Sequence, residues 1–215
     1  EVLPLIQEQK HLLESLIFDQ PILDKIYVYR LLNCTFFLNY IQDAIENRIL
    51  QNQVIRLCAA SVQSYSQDNY AKYQNSHRSI QATRPNRIKI GYLCHCFREH
   101  SVGWLARWLY QHHDRSQFEI YTYFVTYRFH LQDHLQEWYV DHSDQVRKMG
   151  MESLEIAESI HQDQLHILMD LDSMTADISC ETMALKPAPI QATWLGWDAS
   201  GVPEVDYYLG DAYAL

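Results

Sequence analysis

The sequence predicts an α/β fold in two parts, an all-helical N-terminal segment followed by a Rossmann-like parallel sheet. Three observations carry this. All six glycines and all five tryptophans fall after residue 86, and glycine supplies the backbone freedom that strand–helix turns need. Charge divides at the same place. Residues 1–86 hold 8 Lys/Arg and 8 Asp/Glu and residues 87–215 hold 9 and 19, so the whole formal charge of −10 lies in the second part. From residue 87 onward, short apolar runs alternate with helical patterns at a spacing of roughly 20–30 residues, the rhythm of right-handed βαβ units.

The elements follow in order. Residues 3–18 place Leu12, Leu13, Leu16 and Ile17 on one side of a helix. Pro21 suits the first turn of a second helix, whose apolar face is expected to be Ile22, Ile26, Tyr29, Leu32, Phe36 and Tyr40. A third helix buries Leu50, Val54, Leu57 and Cys58. Together these form a helical segment over residues 1–64. Residues 65–86 are polar and lack a period, which predicts a linker.

The second part, 87–215, opens with a strand through Ile88, Ile90, Tyr92 and Leu93. A helix over 102–111 follows, with Trp104, Leu105, Trp108 and Leu109 on its face. Strands are predicted at 118–125, near Val146 and at 165–171, with helices at 131–140, 153–161 and about 178–185. Pro187 and Pro189 forbid a helix in Lys186-Pro187-Ala188-Pro189. Ile190, Ala192, Trp194 and Leu195 then read as a buried strand that Gly196 ends.

Composition excludes several classes. An acidic second part lacks the clustered Lys and Arg of a nucleic-acid surface, so no nucleic-acid partner is expected. No apolar run approaches the roughly 20 residues of a membrane span. Five cysteines, with only Cys94 and Cys96 close together, do not form a secreted disulfide framework. Cytoplasm is the expected compartment.

In an open α/β sheet, ligands gather where strand carboxyl ends open into loops. Three such loops are Cys94-His95-Cys96-Phe97-Arg98-Glu99-His100-Ser101, Asp170-Leu171-Asp172-Ser173-Met174-Thr175 and Gly196-Trp197-Asp198-Ala199-Ser200-Gly201. They supply imidazoles, carboxylates, hydroxyls and backbone N–H groups, a set suited to binding a sugar and handling a hydroxyl proton. Competing readings are a local helix-capping role for His100 and for Asp172 with Thr175. Cys94, His95, Cys96 and His100 as metal ligands are disfavoured, because Cys-x-Cys lacks finger spacing and has no partner pair. A Cys96–His100 nucleophile–base pair lacks a third orienting group. The first loop contains no glycine, against a dinucleotide cradle.

The motifs Arg87-Ile88-Lys89-Ile90-Gly91-Tyr92-Leu93, Phe97-Arg98-Glu99-His100-Ser101-Val102-Gly103, Asp114-Arg115-Ser116-Gln117-Phe118-Glu119-Ile120-Tyr121, Pro187-Ala188-Pro189-Ile190-Gln191-Ala192-Thr193-Trp194-Leu195-Gly196 and Asp206-Tyr207-Tyr208-Leu209 run in order through 87–215. This pattern resembles the catalytic region of the O-linked N-acetylglucosamine transferase / SPINDLY family, and residues 1–86 resemble its tetratricopeptide-like region more loosely. The resemblance implies the N-terminal half of a GT-B, two-Rossmann-domain, metal-independent inverting glycosyltransferase. Such an enzyme moves a sugar from a nucleotide-diphosphate donor, UDP-GlcNAc first among them, to Ser or Thr of proteins, with no further cofactor.

By position, the resemblance implies His100 as the active-site histidine, acting as base or positioning group. It implies Asp172 and Thr175 in the sugar-pocket loop, and Gly196, Ser200 and Gly201 in the loop beneath donor and acceptor. Protein acceptors are expected to bind through the helical segment. The chain by itself is expected to be catalytically silent, a fragment lacking the diphosphate-holding half. Two departures bear on donor choice: Asp172-Ser173-Met174 replaces a Gly-His or Gly-Tyr pair, and the loop after Trp197 is one residue shorter. The alternatives are an O-fucosyltransferase using a GDP-sugar, a degenerate transferase half serving as a protein-binding scaffold, and a small-molecule transferase.

Overall fold

The structure is a computed structural model that describes residues 2–37, 43–82, 85–127, 132–196 and 199–210. Four helices come first: α1 (Val2–Asp19), α2 (Lys25–Phe37), α3 (Ala44–Tyr65) and α4 (Gln67–Ala82). Strand–helix alternation follows, as β1 (Ile88–Cys94), α5 (Ser101–His112), β2 (Phe118–Phe124), α6 (His134–Asp141), β3 (Gln145–Lys148), α7 (Ser153–Asp163), β4 (Ile167–Asp170), a 3₁₀ turn (Ser173–Thr175), α8 (Asp177–Ala184), β5 (Ile190–Thr193) and β6 (Tyr207–Tyr208). The six strands form one sheet in the order β3-β2-β1-β4-β5-β6, and every pairing is parallel. That order reverses direction between β1 and β4, the topological switch point of a doubly wound sheet.

β1 shows why both faces must be covered. Leu93 points into a cluster with Tyr121, Tyr123, Leu165 and Leu168, while Ile90, Tyr92 and Cys94 point into another with Ile120, Phe124 and Met169. This period-2 split puts α5 and α6 on one side through Ala106, Tyr110, Leu135 and Tyr139. The other side takes α7 and α8, and with them the N-terminal helices through Leu13, Val28, Leu50, Val54 and Val62. The helical segment and the sheet therefore share one continuous apolar cluster.

Four expectations are corrected. Residues 65–86 are not a linker, because α4 occupies most of them (83–84 lie outside the described residues). Only Tyr73, His77 and Ile80 of α4 are buried, a stripe too thin to register in a polar sequence. Pro21 is not in the first turn of α2, which starts at Lys25. The preceding Leu23 N–H donates to Ser61 Oγ on α3 at 3.0 Å instead.

The expected face of α2 holds at Leu32 and fails at three other positions. Ile22, Ile26 and Tyr29 are exposed and Val28 and Leu32 are buried, while Tyr40 and the Phe36 side chain lie outside the described residues. On α5, Trp104, Leu105 and Trp108 face solvent, and the buried stripe is Gly103, Ala106 and Tyr110. The Arg107 guanidinium lies 5.0 Å and 5.4 Å from the rings of Trp104 and Trp108, covering part of that apolar surface. The predicted start of α6 at Leu131 lies outside the described residues, and α6 begins at His134.

Gly103 sets how close α5 comes to the loop after β1. A Cβ there would sit 2.7 Å from the Cys96 carbonyl oxygen and closer still to that of Arg98. Because both obstacles are backbone, Gly103→Ala is expected to destabilise the fold by about 1–3 kcal/mol. Urea unfolding checks this, and an unchanged midpoint would contradict the tight helix–loop contact.

Candidate functional site

The loop after β1 is held from three sides. Asp133, the N-cap of α6, accepts from Leu135 and Gln136 of its own helix and also from Glu99 N–H at 2.9 Å and 3.1 Å. Phe97 is buried among Tyr110, Phe124 and Tyr139. His100 is the N-cap of α5, with Nδ1 accepting the Val102 N–H at 3.3 Å. A ring whose Nδ1 accepts carries its neutral-state proton on Nε2. His100 is thus fixed as a donor at its outer nitrogen.

The loop after β4 begins with two buried acids. Asp170 accepts from Asp172 N–H at 2.9 Å and Ser173 N–H at 3.0 Å. Burial, with the Asp172 charge second, pushes its carboxyl well above the usual carboxylate range. Asp172 reaches across to the end of β1, where its carboxylate accepts from His95 N–H at 2.9 Å and Cys94 Sγ at 3.0 Å and lies 2.8 Å from His95 Nδ1. Ser179 of α8 donates to it as well, at 2.8 Å. Thr175 Oγ1 donates to the Asp172 carbonyl at 2.5 Å.

The loop after β5 closes the group. A Cβ on Gly196 would come within 2.8 Å of the Asp172 carbonyl carbon and oxygen, so only glycine lets the two loops touch. Ser173 and Leu195 both hold positive φ, 53° and 66°. Backbone strain of about 1–3 kcal/mol per such residue is characteristic of ligand-facing turns.

The three loops enclose a cavity of about 290 Å³ at the carboxyl ends of β1 and β4, lined by His95, Cys96, His100, Asp172, Thr175 and Gly196 among others. Of the six residues expected from sequence, the structure brings four together here: His100, Asp172, Thr175 and Gly196. Ser200 and Gly201 lie elsewhere, along a second depression of about 260 Å³ whose other wall is Arg48, Asn52 and Arg56 of α3. Ser200 is buried, and a Cβ on Gly201 would sit 2.7 Å from Asn52 Oδ1. Arg48 reaches the Ala199 carbonyl at 2.6 Å. Trp197 and Asp198 of this loop lie outside the described residues.

Cys96 is partnered by His95, with Nε2 at 3.0 Å from Sγ, and not by His100 as the sequence reading considered. Asp172 supplies the orienting third group. Cys94, Cys96 and Asp172 bring three possible ligand atoms within 4.8 Å, but an ion there would have to displace the hydrogen bonds just described. Sequence reasoning missed the His95–Asp172 contact, which spans 77 residues, and the α3 arginines, which sit in the helical segment from which no site residue was named.

A crevice at the switch point of a doubly wound parallel sheet is where α/β folds of the Rossmann type gather their ligands. Comparison with known proteins makes this specific. The description Glycosyl transferase family 41 matches residues 38–214, and the chain belongs to that family. The match takes in α3 and α4 as well as the sheet.

The chain is 32% identical over 143 residues to the Arabidopsis thaliana protein named probable UDP-N-acetylglucosamine–peptide N-acetylglucosaminyltransferase SPINDLY, covering 59% of this chain and 14% of that one. It is 35% identical over 133 residues to the Caenorhabditis elegans UDP-N-acetylglucosamine–peptide N-acetylglucosaminyltransferase, covering 59% and 11%. Against the rice SPINDLY protein it is 26% identical over 192 residues, covering 82% and 19%. The chain thus spans less than a fifth of the length of these relatives. A solved lysine-to-methionine mutant of the Thermobaculum terrenum O-GlcNAc transferase superposes with TM-score 0.55 at 22% identity, over 86% of this chain and 38% of that one, a likeness of fold. No helix of the described residues is long and apolar enough to cross a membrane.

The hydrogen bond to Asp172, followed by the one to Cys96, pushes His95 from its ordinary 6.5 up to about 10. A raised pKa stabilises the fold fully below pH 6.5, and that contribution is lost as pH climbs through 10. His95→Gln should therefore cost stability at pH 6.5, with the gap to the parent protein narrowing toward pH 10 and above in urea unfolding. A gap that does not change with pH would contradict the ion pair.

Proposed function

We propose that this chain forms the first Rossmann half of a GT-B, inverting protein O-glycosyltransferase, which transfers N-acetylglucosamine from UDP-GlcNAc to Ser or Thr hydroxyls of proteins in the cytoplasm. The observation that carries this reading is the cavity at the β1/β4 switch point with His100 in its lining, in a chain that belongs to glycosyl transferase family 41. The names of its relatives specify both donor and peptide acceptor.

In an inverting transfer the acceptor oxygen attacks the anomeric carbon from the face opposite the leaving nucleoside diphosphate, and the hydroxyl proton departs as the new bond forms. Nothing in that step requires a metal if fixed donors and cations neutralise the leaving group. His100 lines the cavity and its Nδ1 is taken up by the Val102 N–H, which supports a role for Nε2–H in holding a substrate oxygen. Thr175 and the Gly196 backbone would border the sugar. The depression between Ser200–Gly201 and α3, lined by Arg48 and Arg56, couples the transferase half to the helical segment, through which protein acceptors would approach.

In the full-length protein, His100→Ala is expected to lower kcat roughly a hundredfold or more, measured as sugar transfer to an acceptor peptide. His100→Gln keeps an N–H donor and should recover part of the loss. Equal losses in the two variants would point to a base and overturn the positioning role. A donor panel of UDP-GlcNAc, UDP-glucose and GDP-fucose reads the sugar, and turnover of GDP-fucose alone would reassign the enzyme as an O-fucosyltransferase. Binding of acceptor proteins with turnover of none of the three donors would make the chain part of a scaffold.

A further inference from the structure

β1 ends in Cys94-His95-Cys96, and all three residues are drawn into one network by Asp172. The carboxylate lies 2.8 Å from His95 Nδ1, the other ring nitrogen lies 3.0 Å from Cys96 Sγ, and Cys94 Sγ lies 3.0 Å from the same carboxylate oxygen. Both sulfurs are within 4.8 Å of each other. This is a carboxylate–imidazole–thiol relay with a second thiol beside the first. Cys96 is buried from bulk solvent but is among the residues that line the cavity of about 290 Å³, which puts it beside the space a small solute entering the cleft would occupy.

We propose that Cys94 and Cys96 form an oxidisable pair, in which Cys96 is attacked by a peroxide and Cys94 resolves the product as a disulfide. The Cys96 thiolate attacks one oxygen of hydrogen peroxide, forming the S–O bond as the O–O bond breaks. The departing hydroxide takes the proton of the His95 imidazolium and leaves as water. Cys94 sulfur then attacks Cys96 sulfur, the S–S bond forms as the S–O bond breaks, and the hydroxyl leaves as a second water with the Cys94 proton. The sulfurs together lose two electrons and one peroxide is reduced to two waters.

The electrostatics agree with the geometry. The Cys94 hydrogen bond, then that of His95, outweigh burial and pull the Cys96 thiol down to about 5, while burial pushes Cys94 well above its ordinary value. One sulfur is thus the nucleophile and the other stays protonated until it is needed. The groups facing Cys96 are Cys94, His95 and Asp172, with the His100 ring 6.4 Å from that of His95. The inference does not rest on the sugar chemistry, and it holds for any ligand the cleft takes.

The test treats the full-length protein with one equivalent of hydrogen peroxide, alkylates remaining thiols and weighs the tryptic peptide spanning residues 90–98, which holds both sulfurs. The expected result is a peptide lighter by two hydrogens while Cys34, half-exposed on α2, is still reduced. Cys94→Ser should stop the reaction at a dimedone-trappable sulfenic acid on Cys96, and Cys96→Ser should leave Cys94 reduced. His95→Gln should slow oxidation roughly tenfold. Oxidation of Cys34 ahead of Cys96, or an unchanged rate in the His95→Gln protein, would overturn the proposal.

Discussion

The carboxylate of Asp172 is the interaction on which the site depends. It is almost wholly buried, and a buried carboxylate is tolerated only when every lone pair is engaged. Here a main-chain N–H, a thiol, an imidazole and a hydroxyl engage it, drawn from the end of β1 and from α8. Those bonds fasten the two loops at the switch point to each other. Asp172 was expected to line the sugar pocket, and it does border the cavity, but its carboxylate is turned inward. Thr175, whose hydroxyl donates to the Asp172 main-chain carbonyl, and Gly196, packed against that same carbonyl, line the cavity beside it.

Two glycines set the remaining distances. Gly103 brings the first turn of α5 onto the Cys96 and Arg98 carbonyls, and Gly196 brings the β5 loop onto Asp172. His100 caps the helix that Gly103 seats, so the position of its ring follows from a contact made by a residue with no side chain. On the far side of the sheet, α3 and α4 pack into the same apolar cluster as Leu93, Tyr123 and Leu168. The helices are therefore a structural neighbour of the sheet, which accords with a family match that begins at residue 38.

Much of the fold was legible because buried parallel strands must read as short apolar runs, as at Ile88–Cys94 and Phe118–Phe124. Helix faces were less legible. Trp104, Leu105 and Trp108 make a convincing apolar stripe, yet they are exposed, since hydrophobicity alone does not reveal which side a neighbour occupies. α4 was hidden for the opposite reason, with three buried positions among polar residues. At the site, His100 stood out through its motif. The bonds that His95 and Cys96 make could not be read locally, because the group that organises them is contributed from 77 residues away.

The most direct measurement is deuterium exchange of backbone amides in the full-length protein and its Asp172→Asn variant. If the carboxylate fastens the two loops, exchange should accelerate at residues 95–100 and 171–176 together, while β1 through residue 93 and β2 keep their protection. Acceleration in neither loop, or an even loss of protection over the whole sheet, would contradict that account.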